Sequence, residues 1–483
     1  MSSRDIKGDT VRVIRTALDQ LPFGDDEHDY GLHDRVRNTV PEGVSSKALY
    51  SDIVKIAWPS FVELMLTQLA SMVDLMMVGR LGPWALTAVG LTTQPKFLLM
   101  TMFMALNVGA TAMVARYRGA GEREKANNIM KQALLMTLVF SLISSILGYV
   151  FAKPMVIFMG ASDQESLDGA TVYLQIQMIG FVFMALTSTI TASLRGVGDS
   201  RTAMIYNLTA NIVNVFFNYV MIYGHFGCPA MGVAGASWAT IIGQFVAFVY
   251  AVLYIIFGRR YLQLNFRERF KVDFGEIKKI VDIGIPSMIE QLVMRAGMII
   301  YAKTVASLGT VAYATHQVCM NIQALSFMNG QAFAVSATSL VGQSLGKRRP
   351  DMAQAYCSRT QRIGFAVAIL IGVAFFFFGR QIVWLYNEDP QIVDTGARIL
   401  MLVAFMQPLQ SSQFILAGGL RGAGDTRATA VITFLTVLLV RPGIAILMIN
   451  VFHWGLEGAW VALVADQLLR TILVVVRYRS GKW

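Results

Sequence analysis

Two carboxylates lie inside an apolar stretch that is long enough to cross a membrane. Residues 56–82 read IAWPSFVELMLTQLASMVDLMMVGRLG and contain Glu63 and Asp74. An acidic side chain near the centre of a spanning helix costs about 2.5 to 3.5 kcal/mol on insertion scales, so such a residue is a candidate functional group. Glu63, Thr67 and Asp74 follow one another at spacings of 4 and 7 residues. They therefore share one face of the predicted helix.

A second polar stripe lies in a later apolar stretch. Four asparagines recur there at spacings of 4, 3 and 4 residues, which places them on one side of a helix: Asn207, Asn211, Asn214 and Asn218. A lone carboxylate and unpaired amides are costly in hydrocarbon, but together they can satisfy one another around a proton or a small cation. We therefore predict a cation-coupling site that consists of Asp74, Asn211, Asn214, Asn218 and Glu63. Interhelical hydrogen bonding is the alternative interpretation for each asparagine.

The acid-bearing stretch occurs twice in the chain. Residues 283–309 read IGIPSMIEQLVMRAGMIIYAKTVASLG, and an offset of 227 positions aligns Pro59 with Pro286 and Glu63 with Glu290. The motif LRGVGDSR at 194–201 returns as LRGAGDTR at 420–427. The acid-bearing stretch precedes the LRGxGD[ST]R motif in both halves of the chain. The sequence therefore predicts two copies of one unit.

The two copies differ in their polar residues. The second copy has Tyr301 at the position of Asp74 and aliphatic residues at three of the asparagine positions. We predict that a substrate cavity is lined by Glu290, Gln68, Gln291, Tyr301 and Arg295. Glu63 and Glu290 each follow a proline by four residues, which indicates either a shared function or a shared structural hydrogen bond at a kink. His316 and Arg441 are interpreted as buried or snorkelling side chains.

Composition places these stretches in a polytopic membrane protein. Of 483 residues, 55% are hydrophobic and only 15% are charged, an apolar surplus that one soluble core cannot bury. Apolar runs of about 20 residues predict an all-α fold with twelve transmembrane helices. They lie near 52–78, 86–115, 128–151, 168–194, 202–223, 233–257, 278–307, 311–343, 359–379, 393–419, 428–450 and 456–476.

The repeat defines the expected domains. Six helices per copy is an even number, so the copies form two six-helix bundles related by a pseudo-two-fold axis along the membrane normal. The predicted domains are an N-terminal cytoplasmic extension (1–50), an N-lobe (51–258), a cytoplasmic linker (259–275), a C-lobe (276–478) and a cytoplasmic tail (479–483). The extension has no signal-peptide pattern, and its run 11–21 has helical spacing but no assigned function.

The net charge of +11 follows the membrane topology. Lys and Arg cluster in alternate loops within 114–126, 194–201, 259–275, 341–353 and 420–427, whereas 221–232 and 450–456 contain neither. The positive-inside rule therefore predicts that both termini are cytoplasmic and that the protein is a multi-pass protein of the cell membrane. The membrane topology therefore explains the positive net charge, and no nucleic-acid partner is predicted.

The sequence shows no catalytic, cofactor or metal motif. It has no Walker A loop and no His/Cys metal-ligand spacing, and Cys228, Cys319 and Cys357 lie far apart. We therefore predict that the protein is not an enzyme, holds no metal or cofactor, and uses a proton or sodium ion as its coupling ion.

These motifs resemble the multidrug and toxic compound extrusion family of cation-coupled exporters. The resemblance covers residues 51–478 and rests on the PSFVELMLTQLASMVDLMMVGRLG helix, the LRGxGD[ST]R pair and NVFFNYVMIYG. It implies a monomeric alternating-access antiporter that exports organic cations or other amphiphiles in exchange for protons or sodium ions. Asp74 is similar to the family's first-helix acid, and Asn214 and Asn218 fall on the polar pair of helix five. Many members have an Asp where this chain has Asn218.

Two other functions are alternatives, and the first of them shares this architecture. A flippase for a lipid-linked saccharide is expected to line its cavity with several cations for phosphate, and Arg295 and Lys303 are the obvious pair here. A channel or receptor needs no acid cluster confined to one half. The antiporter interpretation accounts for the asymmetric acid and amides, and the flippase is the alternative.

The charge asymmetry predicts the topology. Reporters fused after residue 270 and at the C-terminus will behave as cytoplasmic, whereas a reporter near Cys228 will lie outside. Activity of topology reporters in whole cells measures this. An external label that reaches Arg349 but not Cys228 contradicts the twelve-helix topology.

Overall fold

The computed structural model describes residues 40–161, 163–258 and 260–483, and these ranges contain helices and no strand. The predicted N-terminal extension, including the run 11–21, lies almost entirely outside the described residues. Twelve long helices follow one another: α1 Ser46–Gly79, α2 Pro83–Ala120, α3 Arg123–Val150, α4 Gln164–Gly196, α5 Ser200–Tyr223, α6 Val233–Phe257, α7 Phe274–Ala306, α8 Thr310–Gly346, α9 Pro350–Trp384, α10 Pro390–Ala423, α11 Thr426–Val451 and α12 Gly455–Ser480.

All twelve predicted helices are present, and the predicted all-α class of a multi-pass membrane protein is confirmed. Most helices extend beyond the predicted ends, as in α9, which begins at Pro350 rather than at 359. The difference arises because hydropathy marks the apolar part of a helix, whereas backbone hydrogen bonding continues into the aqueous loops. A short helix, Ala152–Phe158, follows α3.

Helix α8 differs from the other eleven in its polarity. Eleven of the described helices are long and apolar enough to span a membrane by themselves, and α8 is not among them. Its 37 residues include buried polar side chains such as His316, Gln323 and Asn329. A helix of this composition is stable in a membrane only when neighbouring helices cover its polar face.

The described residues form two compact units. The N-unit is Lys55–Met288, and the C-unit is the described residues up to Val54 together with Ile289–Trp483. The described part of the predicted linker, residues 260–275, belongs to the N-unit, where Lys271 O accepts a hydrogen bond of 2.8 Å from Gln132. The start of α1 belongs to the C-unit, where Tyr356 donates to Asp52.

The helices of each unit pack in the same order. In the N-unit, α4 packs against α2, α3 and α6, and α5 packs against α6. In the C-unit, α10 packs against α8, α9 and α12, and α11 packs against α12. The repeat in sequence is therefore a repeat in packing, in which α4 and α10 occupy equivalent central positions.

The LRGxGD[ST]R motif forms the turn after each central helix. Gly198 and Gly424 have φ of 86° and 89°, in the left-handed region that glycine adopts without a Cβ clash. Asp199 then caps α5 by accepting a hydrogen bond from Thr202 N. Among the described residues, Asp425 of the second motif makes no side-chain cap hydrogen bond and instead pairs with Arg477 at 2.8 Å. The shared glycine thus ends the central helix in both copies, whereas the aspartate caps the next helix only in the first.

Glycines permit close contacts between helices of the C-unit. A Cβ added at Gly372 on α9 would lie 2.7 Å from the backbone oxygen of Ala404 on α10. Small residues allow such approach in membranes, where apolar burial does not draw helices together. By contrast, a Cβ at the exposed Gly443 on α11 would meet no atom within 4 Å.

Gly372→Ala should therefore destabilise the protein. The added methyl group forces α9 and α10 apart and lowers the free energy of unfolding by about 1 to 3 kcal/mol. Thermal unfolding of the purified protein in detergent measures the change. Gly443→Ala is the matched control and should be neutral or slightly stabilising. Equal stability of the two variants would contradict the observed packing.

Candidate functional site

Asp74 and two asparagines of α5 form the centre of the site. Asn214 Nδ2 donates to Asp74 Oδ2 at 2.9 Å, and Asn218 Nδ2 donates to Asp74 Oδ1. Both asparagines are buried, whereas Asp74 is partly exposed. The 4-residue spacing of the asparagines brings one amide to each carboxylate oxygen.

The two polar stripes meet along the rest of their length. Asn211 Nδ2 donates to Thr67 Oγ1 at 3.1 Å. Asn207 Nδ2 donates to Glu63 Oε1 at 2.7 Å. The structure therefore brings the predicted cation-coupling residues together along the contact between α1 and α5, while their coupling role stays a prediction.

A cavity of about 330 Å³ lies beside Asp74. Residues of α1, α2, α4, α5 and α6 line it, among them Asn211, Asn214 and Asn218. The side-chain oxygens of Asn214 and Asn218 are buried and have no hydrogen-bond partner among the described residues. The cavity therefore offers a carboxylate that two buried amides hold in place, which suits a proton carrier, a small cation or a cationic group.

Lys96 of α2 lines the same cavity and was not predicted. Its ammonium group donates to Gln177 Oε1 at 2.9 Å. Asp74 and Lys96 are the two charged side chains among the described residues that line the cavity. The cost of a charge at membrane depth, which identified Asp74, could also have identified Lys96 within the apolar run of α2.

Glu63 belongs to an ion pair that recurs in the second copy. Arg195 Nη2 lies 2.9 Å from Glu63 Oε2, and Arg421 Nη2 lies 2.7 Å from Glu290 Oε1. Both glutamates are buried, at 6% and 4% exposure. The arginines come from the LRGVGDSR and LRGAGDTR motifs, so each motif ties its turn to the first helix of its copy.

The predicted substrate-cavity residues of the C-unit have structural partners. Glu290 also accepts hydrogen bonds from Thr429 at 3.2 Å and Thr433 at 3.3 Å. Tyr301 is buried, and its hydroxyl donates to Ala459 O at 2.7 Å. These contacts favour the structural interpretation of Glu290, and the assignment of both residues to a substrate cavity stays a prediction.

The other predicted cavity residues are partly exposed on α1 and α7. Gln68, Gln291 and Arg295 are each half-buried. Gln68 is not among the described residues that line the 330 Å³ cavity, although Thr67 next to it is. The structure therefore does not bring Gln68 to the cavity beside Asp74.

A further buried acid, Asp466 of α12, was missed. Asp466 Oδ2 lies 2.6 Å from both Arg441 Nη2 and Arg470 Nη2, and all three side chains are buried. Arg441 follows a π-helical segment of α11, Phe434–Val440.

The imidazole ring of His316 lies 5.5 Å from the ring of Trp460, measured between centroids. Arg441 and His316 are thus buried side chains, as interpreted from the sequence.

Two homologous six-helix halves, with a partly exposed acid beside a cavity in one of them, indicate a membrane transporter. The model of the MatE family matches residues 59–220 and 286–447, so the chain belongs to this family, as the motifs predicted. The two matched segments have the same 227-residue offset as the internal repeat, which confirms the duplication.

Curated relatives and solved structures agree with this family. The chain is 29% identical to "Probable multidrug resistance protein NorM" of Thermotoga maritima over 432 residues, which cover 89% of this chain and 92% of that protein. It is 26% identical to "Multidrug resistance protein MdtK" of Yersinia pestis, with 88% and 94% covered. A structure of "MATE in complex with MaD3S" shares the fold at 21% identity, with a TM-score of 0.84 over 93% of this chain and 96% of that one.

Breaking the Glu63–Arg195 pair should destabilise the protein. Glu63→Gln leaves the guanidinium of Arg195 without a carboxylate, and an uncompensated buried charge costs about 3 to 5 kcal/mol. Size-exclusion profiles and thermal unfolding in detergent measure the loss. Glu124→Gln, at an exposed position on α3, is the control. A Glu63→Gln protein as stable as this control would show that the pair is not structural.

Proposed function

We propose that the protein is a secondary active antiporter of the cell membrane that works as a monomer. It exports organic cations or other amphiphilic molecules in exchange for protons or sodium ions by alternating access. The observation that carries the proposal is the Asp74 carboxylate, held by Asn214 and Asn218 at the edge of a cavity inside the N-unit. The multidrug-resistance names of the relatives support it.

Coupling requires one group whose occupants exclude one another. A driving ion shifts a conformational equilibrium only by its different affinity for the two states. Asp74 meets this need because its carboxylate is either protonated, bound to a cation, or free to attract a cationic substrate. Each change of charge alters the hydrogen bonds from Asn214 and Asn218, and these bonds join α1 to α5. Occupancy of Asp74 therefore acts directly on a contact between helices.

The surroundings of the site suit amphiphilic substrates. A wider recess of about 810 Å³ in the N-unit is lined by Val73, Met76, Met77, Arg80, Tyr219, Tyr223 and His225. Flexible methionines adapt to ligands of different shape. Aromatic faces attract cations by about 0.5 to 2 kcal/mol. These contacts favour a broad range of substrates over one tightly specified ligand.

The flippase alternative has less support in the N-unit. A lipid-linked saccharide carries phosphates, which several cationic side chains would have to bind. Among the described residues that line the 330 Å³ cavity, Lys96 is the one cationic side chain and Asp74 is the one acid. Equal accumulation of several cationic dyes in cells with and without the protein would favour the flippase.

Asp74→Asn should abolish gradient-driven efflux. The amide mimics the neutral carboxyl in nearly the same volume, so the site can no longer change its charge when an ion or substrate binds. Efflux of ethidium from proteoliposomes under an imposed proton or sodium gradient should fall at least about tenfold, which corresponds to 1.4 kcal/mol of coupling. The variant should remain folded and membrane-inserted, as size-exclusion chromatography will show.

Tyr301→Phe is the matched control from the second copy. It removes the hydroxyl at the position equivalent to Asp74, which only donates to Ala459 O, so transport should be largely retained. Normal transport by Asp74→Asn together with loss of transport in Glu290→Gln would place the coupling site in the C-unit and overturn the proposal.

A further inference from the structure

The cavity beside Asp74 carries one acid and one base among the described residues that line it. The carboxylate of Asp74 accepts hydrogen bonds from Asn214 and Asn218, which also line the cavity. Lys96 lines the cavity as well, whereas Gln177, the acceptor of its hydrogen bond, is not among the lining residues. The lining therefore offers a ligand one carboxylate and one ammonium group.

Lys96 is held apart from Asp74. Its ammonium group donates to Gln177 Oε1 at 2.9 Å, and among the described residues no ion pair within 4.0 Å joins it to Asp74. The two charges nevertheless attract each other electrostatically. Gln177 anchors the cation on α4, so the carboxylate and the ammonium group remain separate binding groups.

The net charge of the cavity then selects among ligands. With Asp74 ionised and Lys96 protonated, the lining is neutral, so a simple organic cation at Asp74 leaves one uncompensated positive charge in a low-dielectric space. A ligand that also carries a monoanionic group cancels this charge. Such a group would accept hydrogen bonds from the ammonium group of Lys96, and charge-assisted hydrogen bonds of this kind are strong.

We propose that Lys96 is a specificity-determining residue and that the cavity prefers ligands carrying a carboxylate beside their cationic group over simple cations. This inference rests on the proposed export function and assigns a substrate class to the same site. Simple cations remain ligands of Asp74, but they leave the charge of Lys96 uncompensated. Removal of the lysine charge abolishes the preference.

A pair of dyes that differ at one group tests this assignment. The probes are a cationic xanthene dye with a free carboxylate and its methyl ester, and their binding to the purified full-length protein is measured by fluorescence polarisation. The wild type should bind the carboxylate dye about ten times more tightly than the ester. Lys96→Gln should lose this preference and bind the ester more tightly than the wild type does.

Two further variants make the result specific to the charge in the cavity. Lys96→Arg keeps the positive charge and should keep the preference for the carboxylate dye. Lys153→Gln removes an exposed lysine of the N-unit and should behave like the wild type. If the wild type binds the two dyes equally or does not bind the carboxylate dye, or if Lys96→Gln keeps the preference, the assignment is overturned. Asp74-dependent ethidium efflux would still stand in each case, so the two proposals fail separately.

Discussion

The need to pair charged groups at membrane depth governs the interior of both units. Unpaired, such a group is expensive in hydrocarbon, and buried pairs are stable only with good geometry and further hydrogen bonds. The chain meets this condition with Glu63–Arg195 in the N-unit, and with Glu290–Arg421 and the two arginines of Asp466 in the C-unit. These contacts join helices that hydrophobic burial alone would not hold in register.

Asp74 differs from these acids in its hydrogen-bond partners. The other buried acids described above are bound by arginine, whereas Asp74 is bound by two neutral amides. An amide satisfies the carboxylate without neutralising it, so the charge remains available to an ion or a ligand. The C-unit has Tyr301 at the equivalent position, bonded to the backbone of Ala459. The duplicated fold thus keeps its structural ion pairs in both copies and the available acid in one.

Much of the fold could be predicted from the sequence because its signals are local. Apolar runs separated by charged loops indicated all twelve helices, and the repeated motifs indicated two copies. The spacing of Glu63, Thr67 and Asp74, and of the four asparagines, placed each set on one helix face. The predicted ends were wrong for most helices, because helical hydrogen bonding continues beyond the apolar segment, as at Pro350.

The sequence by itself determined which helices exist, that they form two copies, and which faces are polar, since each of these depends on neighbouring residues of one helix. Only the tertiary structure decided the partners. Glu63 meets Asn207 across 144 positions of the chain, and Lys96 meets Gln177 across 81. No periodicity encodes such a pairing, because it depends on how separate helices pack and rotate against one another. The sequence could have marked Lys96 as a charge within an apolar run, but only the packing of α1, α2 and α5 decided that it shares a cavity with Asp74.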